Sequence, residues 1–150
     1  MMTSQQPRNP TGPFIALPLS KLRGVPQQYR LMLKARRITS CGQLLAAAAS
    51  PDQRVALASS AGLDPEHLYE IVRRADIARV NGIGQVFGMM LEHLGVADVA
   101  TLARQDPAEL HERLRQYNQD ERIARRSPTP EEVETWIEQA RSLPKLLNYG

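Results

Sequence analysis

Leu22-Arg23-Gly24-Val25-Pro26-Gln27-Gln28-Tyr29 returns 58 residues later as Val80-Asn81-Gly82-Ile83-Gly84-Gln85-Val86-Phe87, and the echo continues as Leu33 and Ile38 match Leu91 and Val96. In both copies a glycine, an apolar residue and then proline or glycine make a tight turn, and apolar residues at helical spacing follow it. A period of this size marks one supersecondary unit duplicated along the chain and stacked on its twin. The question of function becomes what the two turns touch.

Helix-start chemistry organises the rest. Ser50-Pro51-Asp52-Gln53, Asp64-Pro65-Glu66-His67, Asp106-Pro107-Ala108-Glu109 and Thr129-Pro130-Glu131-Glu132 each place a hydroxyl or carboxylate one residue before a proline. That side chain accepts a hydrogen bond from an orphan backbone N–H, and proline suits the first helical position because its missing donor would be unpaired there. Downstream, Leu68, Ile71, Val72 and Ala75, and again Val133, Trp136, Ile137 and Ala140, run at helical spacing, with no sustained strand-like alternation. The chain reads as all-α with seven to nine helices. Ser50 precedes Asp106 by 56 residues and Asp64 precedes Thr129 by 65, so the second copy carries about nine extra residues, Asn118 to Arg126. Leu44 with Leu102, and Tyr29 with Phe87, fall on shared core positions.

Composition bounds the partners. The 150 residues carry a formal net charge of +3, but no Asp or Glu occurs before Asp52, while Arg8, Lys21, Arg23, Arg30, Lys34, Arg36 and Arg37 all do. The first 51 residues hold +7 and the remaining 99 hold −4. A basic third joined to a mildly acidic body points to nucleic acid or another polyanion, or else to a solvated basic face. The lone cysteine, Cys41, excludes an internal disulfide and a Cys-cluster zinc site. No apolar run approaches the length of a membrane span, and Met1 to Pro13 lacks a secretory signal, so the expectation is a cytoplasmic protein with a disordered polar start.

A duplicated Gly-apolar-Gly/Pro turn between helices is the signature of a helix-hairpin-helix. The second copy and its continuation resemble a bacterial family of unknown function built on such repeats. The residues that carry the likeness are Arg79 to Gly84, Leu91, Gly95-Val96, Val99, Leu102-Ala103, Asp106-Pro107, Leu110, Leu114, Asn118, Arg126 to Pro128, Val133, Trp136-Ile137, Ala140 and Leu143-Pro144. The likeness covers residues 18 to 144. More distantly, each hairpin is similar to those of DNA repair, recombination and polymerase proteins, which implies a grip on the DNA backbone without sequence readout. Physically, a glycine turn lets the chain approach a phosphate while N–H groups at the next helix start point toward it. In the second hairpin Gly82, Ile83, Gly84 and Gln85 keep those donors, Ile83 plugs the core and Arg79 is the candidate counter-charge, although Glu92 and His93 replace a basic face. In the first, beginning at Gly24, Pro26 removes a donor, yet Arg30, Lys34 and Arg37 at i, i+4 and i+7 share a helical face, with Lys21 and Arg23 leading into the turn.

Reactive groups give little support to catalysis. His67, His93 and His111 are scattered without metal-ligand spacing, and Glu131, Glu132 and Glu134 sit in a first turn where they offset the dipole. Cys41 lies in a connection, Thr39 to Gly42, without an activating base. No catalytic residue, metal or cofactor is expected. The run Ala46 to Ala49 suits a close helix–helix approach, and Arg122, Arg125 and Arg126 make the inserted loop basic. The apolar end from Leu143 to Gly150 either packs back on the domain or docks on a partner. The expected organisation is a polar tail (1–17), a first helix-hairpin-helix unit (18–79), a second (80–144) and a C-terminal tail (145–150), each unit carrying two further helices, packed as one compact domain. The expected activity is that of a non-catalytic protein-interaction module with an acidic partner, the alternative being sequence-independent binding to nucleic acid backbone. Oligomeric state is left open.

Overall fold

Six of the eight helices among the described residues begin on a side chain that caps them, and these caps set the frame of the fold. The structure is a computed structural model that describes residues 16–149, so the polar start, up to residue 15, lies outside the described residues. Among the described residues there are eight α-helices: α1 (Gln27–Lys34), α2 (Cys41–Ala47), α3 (Pro51–Ala61), α4 (Pro65–Ile77), α5 (Gly84–His93), α6 (Val99–Ala103), α7 (Pro107–Glu121) and α8 (Pro130–Ser142). Ser50, Asp64, Asp106 and Thr129 each accept the third-residue N–H of their helix, and Pro51, Pro65, Pro107 and Pro130 stand at the first position. Two further caps, Ser40 on α2 and Asp98 on α6, lie 58 residues apart and so belong to the same repeat.

The chain folds as two sets of four helices, α1 to α4 and α5 to α8, each with its own apolar cluster. In the first set α2 and α3 pack on α4, and in the second α6 and α7 pack on α8. Leu33, Leu44, Leu68, Ile71 and Val72 centre the first cluster; Leu91, Leu102, Val133, Trp136 and Ile137 centre the second. The aromatic pair of the repeat is half-buried on these cores: Tyr29 lies 4.7 Å from the His67 ring and accepts the Asp64 N–H, and Phe87 lies 5.6 Å from Trp136. Ahead of the second turn stands α4; ahead of the first, among the described residues, stands the 3-10 turn Leu19–Lys21. Leu17 packs on the first cluster and its carbonyl accepts the Cys41 N–H at 2.8 Å.

Several local expectations change. Helix α1 stops at Lys34, because Ile38 must turn back into the core; its N–H bonds the Leu33 carbonyl while the Arg37 N–H bonds that of Lys34, a Schellman closure. Arg37 therefore does not continue the face of Arg30 and Lys34 but sits at φ 63°, where the second copy has Gly95 at φ 85°. A side chain in that left-handed conformation costs energy that glycine avoids. Arg37→Gly should raise stability by about 0.5–1 kcal/mol, read as a higher urea midpoint at unchanged slope; an unchanged or lower midpoint contradicts this reading of the closure.

Cys41 is not in a connection but is the first residue of α2, fully buried, and burial pushes its thiol up to about 11, which suppresses the thiolate. Of the alanine run, Ala46 and Ala47 end α2, while Ala48 and Ala49 leave the helix and offer their carbonyls to Arg54. The extra residues of the second copy are part helix: 118–121 lengthen α7, and the Asn118 amide closes the following bend on Ala124. The C-terminal segment packs back on the fold. Leu147 enters the first cluster, and the Asn148 N–H donates to Ala49 at 2.8 Å.

Candidate functional site

The two glycine turns lie side by side. The Gln85 side chain donates to the Lys21 carbonyl at 3.3 Å, so the start of α5 meets the segment leading into the first turn. Between them opens a groove of about 300 Å³, walled by Leu17, Leu22, Ile77, Val80 and Ile83 and bordered by Lys21, Arg23, Arg74, Gly84 and Gln85. Ile83 is buried, as its role as core plug requires, while Gly82, Gly84 and Gln85 are exposed. Gly82 and Gly84 both take left-handed backbone, at φ 90° and 71°.

Helix ends distinguish this region from the rest of the molecule. Neither α1 nor α5 has a side-chain cap, whereas the other six helices do. A side chain from the fourth helix of each unit instead holds the loop itself. Arg74 donates to the Gly24 carbonyl at 3.0 Å, and Gln139, 65 residues on, both donates to and accepts from the Asn81 backbone. A Cβ on Gly24 would stand 2.7 Å from the Arg74 guanidinium, so the clamp needs glycine there as well as the turn's φ of 73°. Arg74 and Gln139 escape notice in the sequence; their common offset from the helix caps is the one signal that pairs them.

The charges divide differently from the sequence reading. Arg23 donates to Glu92 at 2.7 Å, and Arg74 grips the same carboxylate with two bonds at 3.0 Å, tying the first turn to α5. Partial burial would raise the Glu92 carboxyl, but the two guanidiniums prevail and hold it at about 2. Glu92, which weakened the basic face of α5, thus fixes the two units together. Arg79 is not a surface counter-charge at all. It is 1% exposed, donates to Asp76 at 2.6 Å and also to the Pro144 carbonyl, because its position just past α4 turns the side chain toward Asp76 and the C-terminal segment and not toward the turn. Asp76 in turn accepts the Val99 N–H at 2.9 Å.

Four of the expected cations keep their charge open. Among the described residues no carboxylate lies within ion-pair distance of Lys21, Arg30, Lys34 or Arg37. Lys21 borders the groove, while Arg30 and Lys34 line a separate hollow behind the 3-10 turn, with Ala16, Pro18, Ser20, Thr39 and Ser40. Leu31, 51% exposed, and Met32 add apolar surface to α1 beside these charges. In the inserted region Arg126 is taken by Glu132 at 2.7 Å.

Among the described residues no group of three or more His, Cys, Asp or Glu could hold a metal, and no helix is long and apolar enough to cross a membrane. A family model described as a domain of unknown function (DUF4332) matches residues 23–143. No curated protein and no solved structure matches the chain.

Proposed function

The chain belongs to the DUF4332 family, and we propose that it is a non-catalytic interaction module: a tandem helix-hairpin-helix scaffold whose paired turns receive an acidic, partly apolar segment of a partner protein. The observation that carries this reading is the groove between the turns. Its walls are aliphatic, it is large enough for one or two side chains, and Lys21 stands unmatched on its border beside the uncapped start of α5. An apolar anchor seated in the groove would gain burial, and a flanking carboxylate would meet both the lysine and the positive end of the helix. Charge at such a border sets partner choice and encounter rate more than raw affinity. The neutralised Arg23 and buried Arg79 leave too little charge at the turns themselves for a strong phosphate grip.

A second reading, sequence-independent contact with nucleic acid backbone, draws on one specific observation. The two helices that follow the glycine turns are the two without side-chain caps, which leaves their first N–H groups for an external anion. With Lys21, Arg30, Lys34 and Arg37 meeting about four phosphates, binding would weaken roughly a hundredfold between 50 and 200 mM salt.

A photo-crosslinking residue in place of Gln85 separates the two in cells. The expected product is a protein adduct of defined mass, lowered about tenfold by Lys21→Glu. An adduct indifferent to Lys21→Glu removes the groove from the reading. Micromolar affinity for labelled duplex DNA at about 150 mM salt, with a logarithmic slope near −4, establishes the second reading in its place.

A further inference from the structure

We infer that the hollow behind the 3-10 turn is a binding site for a phosphate monoester. It measures about 300 Å³ and is lined by Ala16, Pro18, Ser20, Arg30, Lys34, Thr39 and Ser40. Two cations face it and no carboxylate does. Arg30 and Lys34 stand one helical turn apart on α1, which places their heads within reach of one small anion. Neither side chain has a hydrogen-bond partner among the described residues, so a ligand would displace no contact made within them.

Hydroxyl groups complete the lining. The Ser20 hydroxyl has no partner among the described residues. Ser40 Oγ accepts the Gln43 N–H at 3.2 Å, which leaves its own proton free to donate. Thr39 spends its proton on Gln43 Oε1, so it shapes the wall without adding a donor. The set is therefore a guanidinium fork, an ammonium and two hydroxyl donors around one hollow. Three terminal oxygens sharing close to two negative charges match that set in charge and in hydrogen-bond sense. A phosphodiester has one charge and two free oxygens, and a nucleic acid backbone presents its charges as an extended row, whereas Arg30 and Lys34 converge on one small hollow.

The position of the site is secured from below. Leu19 is buried in the first cluster, its N–H donates to the Thr39 carbonyl at 2.9 Å, and the Ser40 cap is locked by the capping box with Gln43. The two walls of the hollow, residues 16–20 and 39–40, are thus pinned to each other before any ligand arrives, and α1 supplies the charge from the third side. This site lies apart from the groove between the turns, so partner binding there and phosphate binding here can fail separately.

The test uses the whole chain, labelled with nitrogen-15, and four probes: methyl phosphate, dimethyl phosphate, a serine-phosphorylated peptide and a duplex oligonucleotide. Methyl phosphate is expected to saturate in the low millimolar range with amide shifts confined to Ser20, Arg30, Thr39, Ser40 and their neighbours. Its affinity should rise as pH goes from about 5 to about 7, when the monoester gains its second charge, while any dimethyl phosphate affinity stays flat. The phosphorylated peptide should bind tighter than its unphosphorylated form, by at least about tenfold. Arg30→Gln with Lys34→Gln should remove the response at an unchanged thermal midpoint, and Arg125→Gln, an exposed arginine elsewhere, should leave it intact. Shifts spread over all basic residues, equal loss in Arg125→Gln, or no saturation overturn the site. Equal binding of dimethyl phosphate and tighter binding of the oligonucleotide at these residues overturn the monoester and assign the hollow to nucleic acid.

Discussion

Arg79→Ala is expected to lower folding stability by about 3–5 kcal/mol, the range for removing one partner of a buried ion pair. Asp76 and Arg79 are 2% and 1% exposed and meet at 2.6 Å, one turn apart at the end of α4. Without the guanidinium, Asp76 keeps only the Val99 N–H, too little for a carboxylate removed from water. The start of the C-terminal segment loses its tie as well, since Arg79 also donates to the Pro144 carbonyl. The loss should be read as a lower urea midpoint at unchanged slope. A loss below about 1 kcal/mol would mean that water reaches the pair and that Arg79 is free to serve the surface after all.

The pH dependence of that loss identifies its source. Burial already raises the Asp76 carboxyl above its ordinary value, opposed by the Val99 and Arg79 bonds. Removing Arg79 raises it further. A group with a raised value favours the folded state when it is protonated, so the deficit is full near neutral pH and shrinks as pH falls through the folded value toward about 4. Asp76→Asn together with Arg79→Met should recover most of the loss, because a neutral pair of similar volume leaves no unpaired charge buried.

Arg79 also shows where the sequence stops being legible. Its place next to a glycine turn, in a basic stretch, reads as surface charge; its burial follows from contacts with Pro144, 65 residues away, and from the end of α4, neither of which has a local signature. Arg23 and Glu92 are 69 residues apart and neutralise each other for the same reason. Local chemistry was readable because it is decided within four residues. Ser50, Asp64, Asp106 and Thr129 cap where proline and spacing indicate, and the 58-residue echo extends as far as the Ser40 and Asp98 caps. Ser40 itself was hidden by the glycine at 42, which makes a helix start resemble a loop. Arg37 failed differently: the i, i+4, i+7 pattern holds only if the helix continues, and the apolar Ile38 ends it by returning to the core. Of the groove, Lys21, Arg23, Ile83, Gly84 and Gln85 were visible in the sequence, but not that the units bring Lys21 against Gln85.

The second large effect concerns the C-terminal segment, which the sequence left between packing and docking. Deleting residues 145–150 should cost about 3–5 kcal/mol, and Leu147→Ala alone about 2–4 kcal/mol. Leu147 is 1% exposed and lies in the first apolar cluster, although it follows α8 of the second unit. Next to it the Asn148 carbonyl accepts from Arg54 at 2.8 Å, and Arg54 is itself buried between this bond and the carbonyls of Ala48 and Ala49. Deletion therefore opens a cavity and leaves a buried guanidinium short of an acceptor. The damage should be uneven, with hydrogen-exchange protection lost first in α2, α3 and α4, while α7 and α8 keep theirs longer. Wild-type unfolding should be a single transition, because the second unit completes the core of the first through this segment, and the deletion should broaden or split it. A deletion that leaves the midpoint within about 0.5 kcal/mol of wild type would place Leu147 outside the core and return the segment to the surface as a docking element. If the cost is as large as expected, any partner lost on truncation is lost through unfolding of the first unit, so partner mapping requires substitutions such as Lys21→Glu and not deletions.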